Sequence, residues 1–320
     1  MTRERMAIHP FILAHGGVVH EDGVRGPRDF SELWTTWGWE PYVWAGLILS
    51  AYLYAAGLRR MWRDPGAGHG IKTWEAWCYA GGWFALFVAL VSPLHPWGSV
   101  LLSAHMTQHE ILMLVGAPLI VLGRPILVYL HALPRRWAAA LGRASNHPAW
   151  RTTWQAFSAP LPAFLIHSAL LWLWHIPAWF NATIDSEWIH TLQHLSFLVP
   201  ALLFWWALIH HGPNAVGYGL AVLYLFLIAL HSQLLGVLMT FARSIWYTAY
   251  AQTTQSWGLS PLQDQQLAGL IMWIPAGVVY IIAALALMAG WMREAEARAV
   301  RREQADERDA SPPANVEVSS

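Results

Sequence analysis

A single cysteine, Cys78, occurs among the 320 residues. Neither a disulfide framework nor a C-x-x-C motif is therefore available, and any metal must be met by imidazole, thioether or carboxylate. Charge is scarce as well: 12% of residues are charged and they sum to zero with histidine neutral. No broad field exists to draw nucleic acid or an acidic substrate. The alternating ten-residue segments of a membrane β-barrel are also missing. What remains is apolar, 56% hydrophobic with 22 tryptophans, a composition suited to a lipid bilayer.

Apolar stretches close to the ~20 residues that cross a ~30 Å hydrocarbon core lie at about 41–58, 75–92, 105–123, 158–177, 189–209, 216–240 and 265–290. Lipid offers backbone groups no partner, so these runs are expected to be helices. The fold class is an all-α polytopic membrane protein with seven transmembrane helices.

Arg59, Arg60, Arg63 and Lys72 lie between the first two runs, and Arg124, Arg135, Arg136, Arg143 and Arg151 between the third and fourth. Arg293, Arg298, Arg301 and Arg302 follow the last run, whereas 93–104 and 178–188 hold no Lys or Arg and 241–264 only Arg243. The positive-inside rule puts the N-terminus outside and the C-terminus in the cytoplasm. Residues 1–40 then form an extracytoplasmic segment, 41–291 the membrane domain and 292–320 a cytoplasmic tail, disordered from about Ser311. The first residues make a poor signal peptide, although a cut after Ala14 leaves His15 at the new terminus with His20 nearby. Trp34, Trp37, Trp39, Trp174, Trp179 and Trp188 on one side, and Trp62, Trp74, Trp205, Trp206 and Trp291 on the other, fit interfacial belts.

Histidine is unusually common, with 16 copies. Two H-x-x-Q-H motifs, His105 to His109 and His190 to His194, each put imidazoles at i and i+4 on one helical face. On the seven-span topology both motifs enter from the outside, His175 ends the fourth span there, and His231 lies in the outer third of the sixth. The expected metal ligands are therefore His105, His109, His175, His190, His194 and His231. The order of these residues also suggests a parallel repeat, in which each of two hairpins offers three imidazoles.

Neutral imidazole suits copper, zinc or iron. Gln108 and Gln193 are placed to orient rings, Met106 offers a thioether, and Asp264 at the head of the last span is an oxygen ligand or an orienting group. Isolated interfacial histidines more often cap helices or reach the headgroups, and His95, His131, His147, His210 and His211 are read that way. His167 lies ~12 Å deeper than His175 and ~80° around the helix, a poor ligand but a possible relay member. Asp185 and Glu187 are read as a solvated loop.

His105-Met106-x-Gln108-His109 with Ala117-Pro118 and Leu122-Gly123-x-Pro125 is followed by Trp174-His175-Ile176-Pro177, then His190-x-x-Gln193-His194, Asp264-Gln265-Gln266-Leu267-Ala268-Gly269 and Met272-Trp273-x-Pro275. These ordered motifs, spread over about 40–290, resemble the CtaG family of cytochrome c oxidase assembly proteins. The resemblance implies a multi-pass protein of the bacterial cytoplasmic (inner) membrane, not an enzyme, that helps assemble the oxidase by handling copper. Its expected partners are cytochrome c oxidase subunits, an extracytoplasmic copper donor and the lipid bilayer. His105, His109, His175, His190 and His194 lie inside the matching motifs; His231 rests on topology alone. Two other readings stay open, a haem- or quinone-binding membrane protein and a seven-span zinc hydrolase.

Overall fold

The computed structural model of the chain describes residues 26–27, 29–63, 70–210 and 217–310. His15, His20, the possible cut after Ala14, His211 and the tail from Ser311 lie outside them. Among the described residues every regular element is helical. Leaving aside the four-residue helices Phe30–Leu33 and Leu94–Trp97, the first four are α1 (Pro41–Arg63), α2 (Thr73–Leu90), α3 (Leu102–Leu122) and α4 (Pro125–Ala132). They are followed by α5 (Arg135–Ser145), α6 (Pro148–Ser158), α7 (Pro160–Trp174) and α8 (Pro177–Asp185). The last three are α9 (Glu187–Trp206), α10 (Tyr218–Thr240) and α11 (Pro261–Ala310).

Among the described residues five segments are long and apolar enough to cross a membrane: α1, α3, α9 as far as His210, α10, and α11 over Pro261–Gln304. A sixth crossing results if α6 and α7, bent by 61° at their junction, act as one span. The bend has a local cause. Ala159 precedes Pro160 and adopts φ −65, ψ 147, because the proline ring excludes the helical conformation from the residue before it. The run expected at 75–92 does fold as α2, which is not among the five. The architecture is thus all-α and multi-span, with five to six candidate crossings.

Residues 124–157, expected as a loop, hold three helices instead. α4 lies along α1, where Gly57 permits near backbone contact: a Cβ there would sit 2.0 Å from the Val128 carbonyl oxygen. Arg60 donates to the carbonyls of His131, Ala132 and Leu133 at 3.0, 2.7 and 3.2 Å, satisfying acceptors that the end of α4 leaves open. α5 buries no residue; Trp137 and Leu141 are exposed beside Arg135, Arg136 and Arg143, as in a helix lying at an interface.

Two features of the long helices position the site. α3 widens into a π turn over Ile111–Gly116, a distortion common at functional sites, and the Trp205 indole donates to the Met113 carbonyl inside it at 2.9 Å. α10 and α11 meet through glycines. A Cβ on Gly269 would lie 2.6 Å from both the Gly236 carbonyl oxygen and the Thr240 nitrogen, the small-residue contact that lets helices touch closely in lipid.

The segments joining α2 to α3, α7 to α9 and α10 to α11 meet at one end of the bundle. Thr253 donates to the Val100 carbonyl at 2.7 Å, and Asn181 to the Thr248 hydroxyl at 3.3 Å. Arg60, Arg124 and their partners lie at the opposite end, where α1 finishes and α2 begins. The tryptophan belts need correction. Trp34, Trp39, Trp179, Trp188, Trp62, Trp74 and Trp291 are exposed, but Trp174 and Trp205 are core residues whose indoles bond to Ser196 and Met113.

Gly269→Val should overpack the α10/α11 crossing. We expect a loss of about 1–3 kcal/mol, read as a lower unfolding temperature in detergent, with Gly142→Val, in open space, as the neutral comparison.

Candidate metal centre

The site begins with a helix terminus. The first turn of α3 points its amides at Asp264, whose carboxylate accepts from the Leu102 nitrogen (2.7 Å), the Ser103 nitrogen (3.1 Å) and the Ser103 hydroxyl (2.5 Å). The carboxylate thereby satisfies donors that a helix start leaves unpaired and sits at the positive end of its dipole. One turn on, His105 and His109 project from the same face, their ring centroids 4.4 Å apart.

α9 delivers its own pair against them. His190 and His194 lie 4.2 Å apart, His190 is 5.0 Å from His105, and His194 is 5.2 Å from His109. All four rings are buried. Ligating nitrogens of His105, His109 and His194 fall within 4.8 Å of one another, so three buried imidazoles can share one ion.

Hydrogen bonds around the rim fix which nitrogens look inward. The Tyr250 hydroxyl donates to the Gly98 carbonyl at 2.9 Å and lies 3.0 Å from His105 Nδ1, itself 3.3 Å from that carbonyl. These acceptors engage Nδ1 at the rim, while Nε2, on the cluster side, meets the Gln193 Oε1 acceptor at 3.2 Å, a hydrogen bond that ligation through Nε2 would replace. Burial holds the Tyr250 phenol well above its usual range, with the Asp264 charge adding to the effect, so it remains a protonated donor. His175 Nδ1 donates to the Leu171 carbonyl at 2.7 Å, which frees Nε2. His109 Nδ1 and Nε2, His194 Nε2 and His175 Nε2 are buried without a hydrogen-bond partner. Buried polar atoms normally find one, and a ring of lone pairs left open in this way is a donor set suited to a cation.

The two H-x-x-Q-H motifs therefore interleave in a single cluster rather than dividing between hairpins. His175 adjoins it, tilted against Phe180 and Phe197 and an electrostatic neighbour of His105 and His109. His231 sits elsewhere, with its ring 6.3 Å from His167 and 5.5 Å from Phe164 and its Nδ1 bonded to Leu227. Distance along α10 misled the sequence reading, because the face of the helix also matters. Asp264 caps α3, Met106 is fully buried core, and Gln108 does reach an imidazole, one outside the two motifs.

That imidazole is His95, read from sequence as an ordinary interfacial residue. It is buried: the Gln108 amide donates to its Nδ1 at 2.8 Å, its Nε2 meets Glu40 Oε1 at 2.9 Å, and its ring stacks on His190 at 5.3 Å. Glu40 and Tyr250 were also missed, and nothing in their local sequence marks them. Glu110, next to His109, was missed although an acid inside an apolar run is a signal in its own right. Beside the cluster a lateral cleft of about 370 Å³ runs between α1, α2 and α9, walled by Leu47, Leu86, Leu90 and Leu198 and ending at Glu40, His95, Glu187, His190 and His194.

A family model described as cytochrome c oxidase caa3 assembly factor matches residues 52–294. Similar curated proteins are uncharacterized proteins of Mycobacterium bovis and Mycobacterium tuberculosis, each 27% identical over 304 residues, which is 92% of this chain and 45% of the relative. One from Mycobacterium leprae is 27% identical over 288 residues, 87% of this chain and 43% of the relative. The chain spans less than half the length of these relatives. No solved structure matches it.

Asp264→Ala should destabilise the fold by about 1–2 kcal/mol through loss of the cap, measured by thermal unfolding in detergent. Ser103→Ala, which removes only the hydroxyl contact, should cost less; equal losses would argue against Asp264 as the cap.

Proposed function

The chain belongs to the cytochrome c oxidase caa3 assembly factor family, and from that premise we propose that it receives copper at the imidazole cluster and passes it to the nascent oxidase. The family is one of assembly factors, not catalysts. The observation that carries the copper reading is the buried triad His105, His109 and His194, whose ligating nitrogens lie within 4.8 Å of each other, with nitrogens of His109 and His194 left without a hydrogen-bond partner. Three imidazoles with no carboxylate suit copper, and a small ligand set lets an ion leave as well as enter. Copper is cargo here, taken from an extracytoplasmic donor.

The chain's own residues do the positioning. Tyr250 and Gly98 orient His105, Leu171 orients His175, and the Gln108–His95–Glu40 chain supports His190 from behind. His190 and His175 are assigned as the next ligands, reached during loading or release. His231 has no part in this set.

In the topology we propose, α2 and the bent α6/α7 pair also cross, giving seven spans of the bacterial cytoplasmic membrane. The cluster end faces outward, residues 1–40 lie outside and 292–320 in the cytoplasm. The gathering of Arg60, Arg124 and Lys72 at the end away from the cluster supports this orientation.

A second reading is favoured by the lateral cleft, whose apolar walls and polar head fit a quinone-like amphiphile. Extraction of quinone from the purified protein would support it. The zinc hydrolase reading is weakened because Asp264, its best acid, is engaged by the α3 amides.

Purified protein is expected to carry copper that His105→Ala, His109→Ala or His194→Ala removes and His231→Ala leaves in place. Tyr250→Phe should weaken binding about 10–100-fold. Imidazoles must be unprotonated to ligate, so copper should be released as pH falls. Metal content by mass spectrometry is the check. Copper-free wild type, together with normal oxidase copper in a His105→Ala, His109→Ala strain, would sink the proposal.

A further inference from the structure

α3 continues past His109 into its π turn, and there a second polar cluster lies in the middle of the bundle. Glu110 and Met113 from α3, His167 from α7, Ser232 from α10, and Met272 and Tyr280 from α11 line a cavity of about 10 Å³. That volume accepts one water-sized or ion-sized occupant.

The wall is chemically unusual. Glu110 Oε2 and His167 Nδ1 are both buried without a hydrogen-bond partner, and His167 is only 5% exposed. Ser232 spends its proton on the Ile228 carbonyl at 2.9 Å, so its oxygen cannot donate to either of them. Two thioethers, Met113 and Met272, line it as well, beside the Tyr280 phenol and apolar side chains. A carboxylate and an imidazole left open deep in a membrane protein are costly unless something meets them.

With copper as the cargo of the imidazole cluster, as proposed above, we infer that this cavity is a second copper site, selective for Cu(I). Its ligands are the Met113 and Met272 sulfurs and His167 Nδ1, with the Glu110 carboxylate supplying the opposing charge. Soft thioethers select Cu(I) over divalent ions. One carboxylate against one monovalent cation leaves the site neutral, which lowers the cost of burying either charge alone. His109 and Glu110, adjacent on α3 and so pointing ~100° apart around it, serve different chambers. The ion binds and leaves by ligand exchange, with no change of oxidation state.

The test is copper loading of the full-length protein with Cu(I) under anaerobic, reducing conditions, followed by metal counting and X-ray absorption at the copper edge. Wild type should hold about two copper ions per chain, one of them with sulfur neighbours. Met113→Leu with Met272→Leu conserves volume; it should lose one ion and the sulfur signal while keeping the nitrogen-only site. Glu110→Gln should weaken the same site alone. His105→Ala with His109→Ala should give the converse, one ion with sulfur neighbours. One ion bound only by nitrogen in wild type, unchanged in the double Met variant, overturns the second site and leaves the first reading standing. No copper in any protein overturns both.

Discussion

The contact on which the site depends is the one between Asp264 and the start of α3. A carboxylate at the head of one long helix accepts both first-turn amides of another, so the N-termini of α3 and α11 are tied together. Like ends of helices repel, since each carries partial positive charge; a buried carboxylate between them converts that repulsion into attraction. His105 and His109 follow within two turns of the tie. Their position relative to α9 is therefore set by a helix terminus, which is more rigid than a loop.

From that anchor outward, polar atoms fall into two groups. The rim is tied by hydrogen bonds of Tyr250 with Gly98 and His105, Gln108 with His95 and Ala89, His95 with Glu40, and His175 with Leu171. On the inside, nitrogens of His109, His194 and His175 are left open. A core chosen only for stability would close such positions with apolar side chains. Rings held from the rim, as His105 and His175 are, around open nitrogens of His109, His194 and His175 present lone pairs to an ion.

Reading the chain in order succeeds where local rules govern. Apolar runs locate α1, α3, α9, α10 and the start of α11 within about five residues, because in lipid the backbone has no alternative to helix; α11 then runs on to Ala310. The i, i+4 spacing puts His105 beside His109 and His190 beside His194. It fails where contacts are distant. His231 seemed equivalent to His175 by depth, yet its face of α10 turns toward Phe164 and His167. His95 looked like an ordinary interfacial residue, and only the approach of Glu40, 55 positions earlier, and Gln108, 13 later, makes it part of the site. Trp174 and Trp205 were assigned to the membrane interface by type; the bundle uses them as core residues because each indole finds an acceptor inside.

Sequence by itself determined the helical class, the approximate spans, the exclusion of cysteine chemistry and the two histidine pairs, since each follows from composition or spacing along one helix. Tertiary structure alone decided that the pairs form one cluster, that Asp264 accepts from the α3 amides, that His95 packs on the cluster while His231 lies against Phe164 and His167, and that Glu110 faces a separate cavity. The physical reason is the rotation of each helix about its own axis. That angle is fixed by packing against neighbours far away in the chain, through contacts such as Gly236 on Gly269 and Gly57 on Val128, and no periodicity within a single segment records it.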